Sequence, residues 1–321
     1  MMPSKPILAN AIALAASGGW LTQLTMLPSN RIVRVRNAFR LRRGRPEDFT
    51  WTPSTVPADF RVEHRRAPAV IENAVTVAGI QEARGDWHRA LALVAMLLRH
   101  WRHDGAIQSD IAGTYKGIVA GGGYCADYVR VFLAAASSIG VFSRQWAFSF
   151  DGFGGHGHTF VEVYDREAAK WIFLDVHNNV YAIDPRRNER LSALEVRDAL
   201  RGSNPMEFRR AGPGRLGFED FDKLLDYFRR GGNEWYLWWG NDVITRYDRP
   251  VTVALSHISR RLAHGLTTFF RTPRLVAIVT ADNERQIEQM KRLKRRVVAA
   301  IALVGVLVAL FAVQLGWGVW S

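Results

Sequence analysis

The sequence predicts an α+β fold, with a cysteine-bearing helix packed on an antiparallel sheet, further helices around it, and a C-terminal transmembrane helix. Three stretches lead there. Residues 125–139 (CADYVRVFLAAASSI) follow a Gly-Gly-Gly run and stop at Gly140, the pattern of a capped helix. Residues 158–164 (HTFVEVY) and 170–176 (KWIFLDV) flank a polar DREAA, the pattern of two strands joined by a turn. Residues 297–320 carry no charge, and Gln314 is their one polar side chain.

Taken in order, Ile7 to Leu27 is mostly apolar but broken by polar residues such as Asn10, Ser17 and Gln23. Three readings stand for it: a signal peptide with Lys5 at its basic start and Ala13-Leu14-Ala15 as cleavage site, a second membrane contact, or a helix packed on the globular part. The arginine-rich segment Arg31–Arg45 argues against export. Residues 51–66 hold Pro53 and Pro57 and read as an irregular linker. Residues 87–101 (WHRALALVAMLLRHW) form a helix with a wide apolar face, and 107–123 a loop or short helix. After the hairpin, 191–274 mixes helical stretches with the aromatic cluster Trp235–Trp239, read as core packing or a membrane-facing surface. The expected division is an N-terminal segment 1–50, a core 70–200, a helical and aromatic extension 201–290, and the span 297–320.

At about 1.5 Å per residue, the final segment is long enough for a hydrocarbon core of roughly 30 Å. The run KRLKRR at Lys291–Arg296 precedes it, and Trp317 and Trp320 fall near its far end. The positive-inside rule then places the globular part in the cytoplasm.

Lysine and arginine number 43 against 30 acidic residues, a formal net charge of +13. Much of that excess lies in the two basic runs beside apolar stretches. This favours anionic lipid headgroups as partner. With neither zinc-ligand spacing nor an aromatic RNA-binding signature, no nucleic acid is expected as partner. Cys125 is the one cysteine, which excludes a disulfide within the chain and leaves either a small buried residue or a reactive thiol.

A nucleophilic cysteine needs a setting that favours its thiolate. Cys125 opens a predicted helix, where free N–H groups and the dipole favour an anion. His158 starts one strand and Asp175 lies near the end of the next. In an antiparallel hairpin opposed residues share an index sum, and 158 + 175 = 333 centres the turn within Asp165-Arg166-Glu167. The two are therefore expected as cross-strand neighbours, the aspartate orienting the imidazole. His156 shares their strand face.

The set Gly123-Tyr124-Cys125-Ala126-Asp127-Tyr128, His158–Tyr164 and Trp171-Ile172-Phe173-Leu174-Asp175 resembles the transglutaminase-like superfamily of papain-type fold, in particular a membrane-anchored bacterial member. The resemblance covers residues 87–185. It implies a papain-like core in which Cys125 attacks a carbonyl, His158 is the general base and Asp175 orients it. Tyr115 is the candidate side-chain oxyanion donor, beside the Cys125 backbone N–H. Tyr124, His156 and His177 are candidates to line the cleft. Where the family continues from its aspartate into Pro-Thr, this chain has Val176-His177-Asn178-Asn179.

The expected chemistry is acyl transfer or hydrolysis on a peptide, protein or other amide- or ester-bearing substrate, through a thioester and with no metal or organic cofactor. Two other classes are weighed. One is a catalytically silent domain binding a peptide or protein at the membrane, in which Cys125→Ala preserves binding. The other is a membrane-tethered scaffold that depends on Arg31–Arg45. A zinc site built from His156, His158, His177 and Asp175 follows no recognised spacing.

Overall fold

In the computed structural model of the chain, residues 29–318 are described apart from 108, 203, 215–216, 249–253 and 255–259, with side chains as far as Leu310. The elements in chain order begin with α1 (Ser29–Arg40), β1 (Leu41–Arg43), α2 (Glu47–Thr50), α3 (Ala69–Val77), α4 (Gly85–Leu98), α5 (Ile111–Val119) and α6 (Cys125–Ser138). Strands β2 (Ser143–Ser149), β3 (Gly157–Asp165), β4 (Lys170–Asp175), β5 (Val180–Asp184) and β6 (Glu189–Arg190) follow. Then come α7 (Ala193–Arg201), β7 (Glu207–Arg210), α8 (Phe221–Arg230), β8 (Glu234–Trp238), α9 (Val243–Tyr247), α10 (Arg260–Arg271), β9 (Leu275–Ala277) and α11 (Glu284–Gly318).

Among the described residues the strands form one mixed sheet, ordered β1-β9-β8-β2-β3-β4-β5-β6, with β7 also on β5. Only the β1–β9 edge is parallel. The central strands are buried on both faces, so β2, β3 and β4 read as near-continuous buried runs. One face carries α4 and α6, packed on β3 through Leu93, Leu97, Tyr128, Phe132, Val161 and Val163. The other carries an aromatic layer of Trp146, Phe148, Phe160, Phe173, Phe228 and Trp235. Trp235–Trp238 is thus part of an interior strand. Trp51 and Phe60, from the stretch read as a linker, pack into this same layer, so 51–66 is irregular yet anchored.

The hairpin register differs from the expected one. Val161 pairs with Leu174 and Asp165 with Lys170, an index sum of 335 that centres the turn two-thirds of the way along DREAA. Ala169 closes that turn at positive φ, 50°. Asp175 therefore lies diagonal to His158, on the same face, and the longer imidazole closes the gap.

The C-terminal expectation is corrected. Among the described residues no helix is long and apolar enough to cross a membrane. The first half of α11, Glu284 to Arg296, is charged outside and packs Ile287 and Met290 against the sheet edge and α1. The single-pass topology and the cytoplasmic placement derived from it fall with the span. The apolar segment Ile7–Leu27 lies outside the described residues. Much of the basic run Arg31–Arg45 is engaged within the chain: Arg42 pairs with Asp48 at 2.9 Å, Arg43 with Glu284 at the surface, and Arg34 and Arg40 donate to the carbonyls of Asp151 and Phe270.

Candidate active site

Helix α6 begins at Cys125 because the chain is turned into it by Gly123, whose φ of 122° suits glycine, and held there by Asp127. The Asp127 carboxylate accepts the Tyr124 N–H at 3.0 Å and the Ile107 N–H at 3.3 Å. Cys125 is half-buried. Cys125 and His158 line one cavity of about 250 Å³ between the start of α6, β2, β3 and β8.

His158 is buried and its Nε2 meets Asp175 Oδ2 at 2.6 Å. With Nε2 engaged, Nδ1 is the nitrogen left for a thiol. Asp175 is fully buried and held on its other side by Asn178. The Asn178 backbone N–H donates to Oδ1 at 3.1 Å and its amide to Oδ2 at 2.7 Å. Phe148, Phe160, Tyr227 and Phe228 wall the imidazole with ring centroids 5.5–6.4 Å away. Burial opposes charge on His158, but the Asp175 carboxylate, with Tyr227 and Cys125 adding to it, holds the imidazole well above its usual 6.5. For Asp175, burial is outweighed by His158, and its carboxyl sits below the usual 3.8. Each group thus favours the charged form of the other.

The remaining sequence candidates distribute as follows. His177 sits against this pair, its ring 6.2 Å from that of His158, and its Nε2 lies 3.2 Å from Asp104. Tyr124 is half-exposed at the helix cap, and His156 is exposed before β3. Tyr115 is not at the cavity: on α5 it lines a separate shallow pocket with Val70, Val77 and Val119. A helix turns its faces every 100°, so the register of 107–123 decided this, and it was readable only as loop or short helix. Glu162, on β3, is structural, buried against Arg144 at 2.7 Å. Among the described residues no three His, Cys, Asp or Glu side chains gather to hold a metal.

Residues not singled out in the sequence complete the site. Asn178 had a signal, its place three after Asp175 in a tight turn. Tyr227 had none, since α8 is far along the chain; burial pushes its phenol up and the neighbouring His158 partly offsets that.

Compared with protein-family models, curated proteins and solved structures, the chain has no match.

Proposed function

We propose that the chain performs thiol-dependent acyl chemistry on an amide or ester, in the manner of the transglutaminase-like superfamily its motifs resemble. The observation that carries this is the His158–Asp175 pair at 2.6 Å opening onto the cavity that Cys125 lines from a helix N-terminus. An imidazolium beside a thiol favours the thiolate. The Cys125 sulfur attacks the substrate carbonyl carbon, and the Cys125 N–H at the helix start is placed to donate to the developing oxyanion. The C–N or C–O bond then breaks, and the leaving amine or alcohol takes the proton held by His158. The thioester is released when water, or a second amine, loses a proton to His158 and attacks, breaking the C–S bond. Asp175, fixed by Asn178, keeps the ring oriented through both halves.

The test is the rate of Cys125 alkylation by iodoacetamide against pH in the whole chain and in His158→Ala and Asp175→Asn. Fast labelling well below about pH 8.5, lost in His158→Ala, is the expected result. A thiol profile unchanged in both variants would overturn it.

One observation favours a second reading, a silent domain that binds a peptide or protein: Tyr115, the expected side-chain oxyanion donor, faces another pocket. In that case Cys125→Ala leaves partner binding intact and no activated ester is turned over by the unaltered chain.

A further inference from the structure

The Cys125 cavity has a second wall that the acyl chemistry does not use. Three arginines line it, Arg36 from α1, Arg130 from α6 and Arg246 from α9, and among the described residues no acidic side chain does. They are 6%, 7% and 2% exposed. Buried guanidiniums ordinarily pair with carboxylates or make several hydrogen bonds. These are under-supplied. Arg36 donates to the neutral Asn37 Oδ1 at 2.9 and 2.6 Å and has no carboxylate partner among the described residues. Arg130 reaches Asp127 only at 3.7 Å, and its Nη1 has no hydrogen-bond acceptor. Arg246 is 3.2 Å from Asp242, which Arg61 also engages at 2.6 Å, and the Arg246 Nη2 has no acceptor.

The three are interleaved with aromatic rings. Arg130 lies 4.1 Å over Tyr247, and Arg246 5.9 Å from the same ring. Arg246 and Arg36 lie 5.5 and 5.4 Å from Trp238. Their joint field registers on Tyr247: burial pushes its phenol up, yet Arg130, Arg246 and Arg36 together bring it below its usual value. The stack holds the three guanidiniums in place along a cavity whose described lining carries no carboxylate.

We infer that this wall is an anion subsite: the acyl substrate of Cys125 carries a carboxylate or phosphate group that Arg36, Arg130 and Arg246 bind beside the reacting carbonyl. The substrate class rests on the acyl-chemistry reading; the anion site itself does not, because it is built from residues outside the triad.

Two alkylating reagents of nearly equal size separate the two. Iodoacetate is an anion and iodoacetamide is neutral, and with each the Cys125 sulfur forms an S–C bond as iodide leaves. The expected result on the full chain is an iodoacetate to iodoacetamide rate ratio at least about tenfold above that of free cysteine at the same pH. Iodoacetate labelling should saturate, and inorganic phosphate or acetate should protect competitively, the more effective of the two naming the preferred anion. In Arg130→Gln and Arg36→Gln the ratio should fall toward that of free cysteine. In His158→Ala both rates should drop while the ratio stays high. A wild-type ratio like that of free cysteine, with no protection by either anion, overturns the subsite without needing any variant to fold. So does a ratio that collapses in His158→Ala, because the imidazolium would then be its source. A protein inert toward every ester but retaining the ratio would sink the acyl reading and leave the subsite standing.

Discussion

His158 holds its charge only while Asp175 holds its own, and each fails at a different end of the pH scale. The imidazole is raised above 6.5 in the folded protein, so its contribution to stability is complete below 6.5 and is lost as pH rises through the higher folded value. The Asp175 carboxyl is lowered below 3.8, so its contribution is complete above 3.8 and is lost as pH falls through the lower folded value. The stability difference between the unaltered protein and Asp175→Asn, measured by urea unfolding, should shrink as pH rises above 6.5 and as it falls below 3.8. A difference that grows above 6.5 would contradict the pairing. Cys125, His158 and Asp175 were legible because a helix start and two alternating strands carry them within one short stretch. The arginines of the cavity wall were not. Arg36 sat in a run whose charge density suggested a surface, and burial of a single member cannot be read from composition.

At the scale of elements, the start of α6 decides where the thiol sits. A Cβ on Gly123 would meet the Tyr128 ring at 2.9 Å, and a φ of 122° is a conformation that other residues rarely adopt. Gly123→Ala should cost roughly 1–3 kcal/mol in urea unfolding, and should slow Cys125 alkylation in the protein that does fold. An unchanged midpoint and rate would mean that this turn does not position the nucleophile. Sequence periodicity located this helix and both hairpin strands to within a residue or two. It missed the hairpin register because DREAA allows two turn positions, and Ala169 adopts a positive φ that no glycine advertised. The C-terminal stretch was judged by its length of uncharged residues, the basic run before it and the tryptophans near its far end. The charged start of α11, with Ile287 and Met290 packed in the core, gives a different account.

Across the whole molecule, one buried group joins layers that no local pattern connects. Glu162 accepts from Arg144 at 2.7 Å, from the Trp146 indole and from the Ala193 N–H at the start of α7, while Arg144 lies 4.0 Å over Trp171 and donates to the Phe49 carbonyl. Removing the carboxylate charge strands a guanidinium that is 1% exposed. Glu162→Gln should therefore destabilise the fold by about 3–5 kcal/mol in urea unfolding, an effect that the additional change Arg144→Met should partly relieve. No relief would mean that the pair is not what holds these layers. Nothing in the local sequence names the partners of Glu162 on α7 and near Phe49, which are tertiary facts.

The parallel edge, where Leu41 lies beside Leu275, also sets an order in time. A ladder between such distant positions closes late, since the ordering cost of a long loop falls due before its contacts form. A ribosome releases Cys125 and the hairpin well before Arg246, β8 and β9. The nascent chain therefore holds its thiol for a time without Arg246, the last arginine of the cavity wall, or the strand that bounds the cavity. Any binding that depends on the full wall would then be acquired only at the end of synthesis.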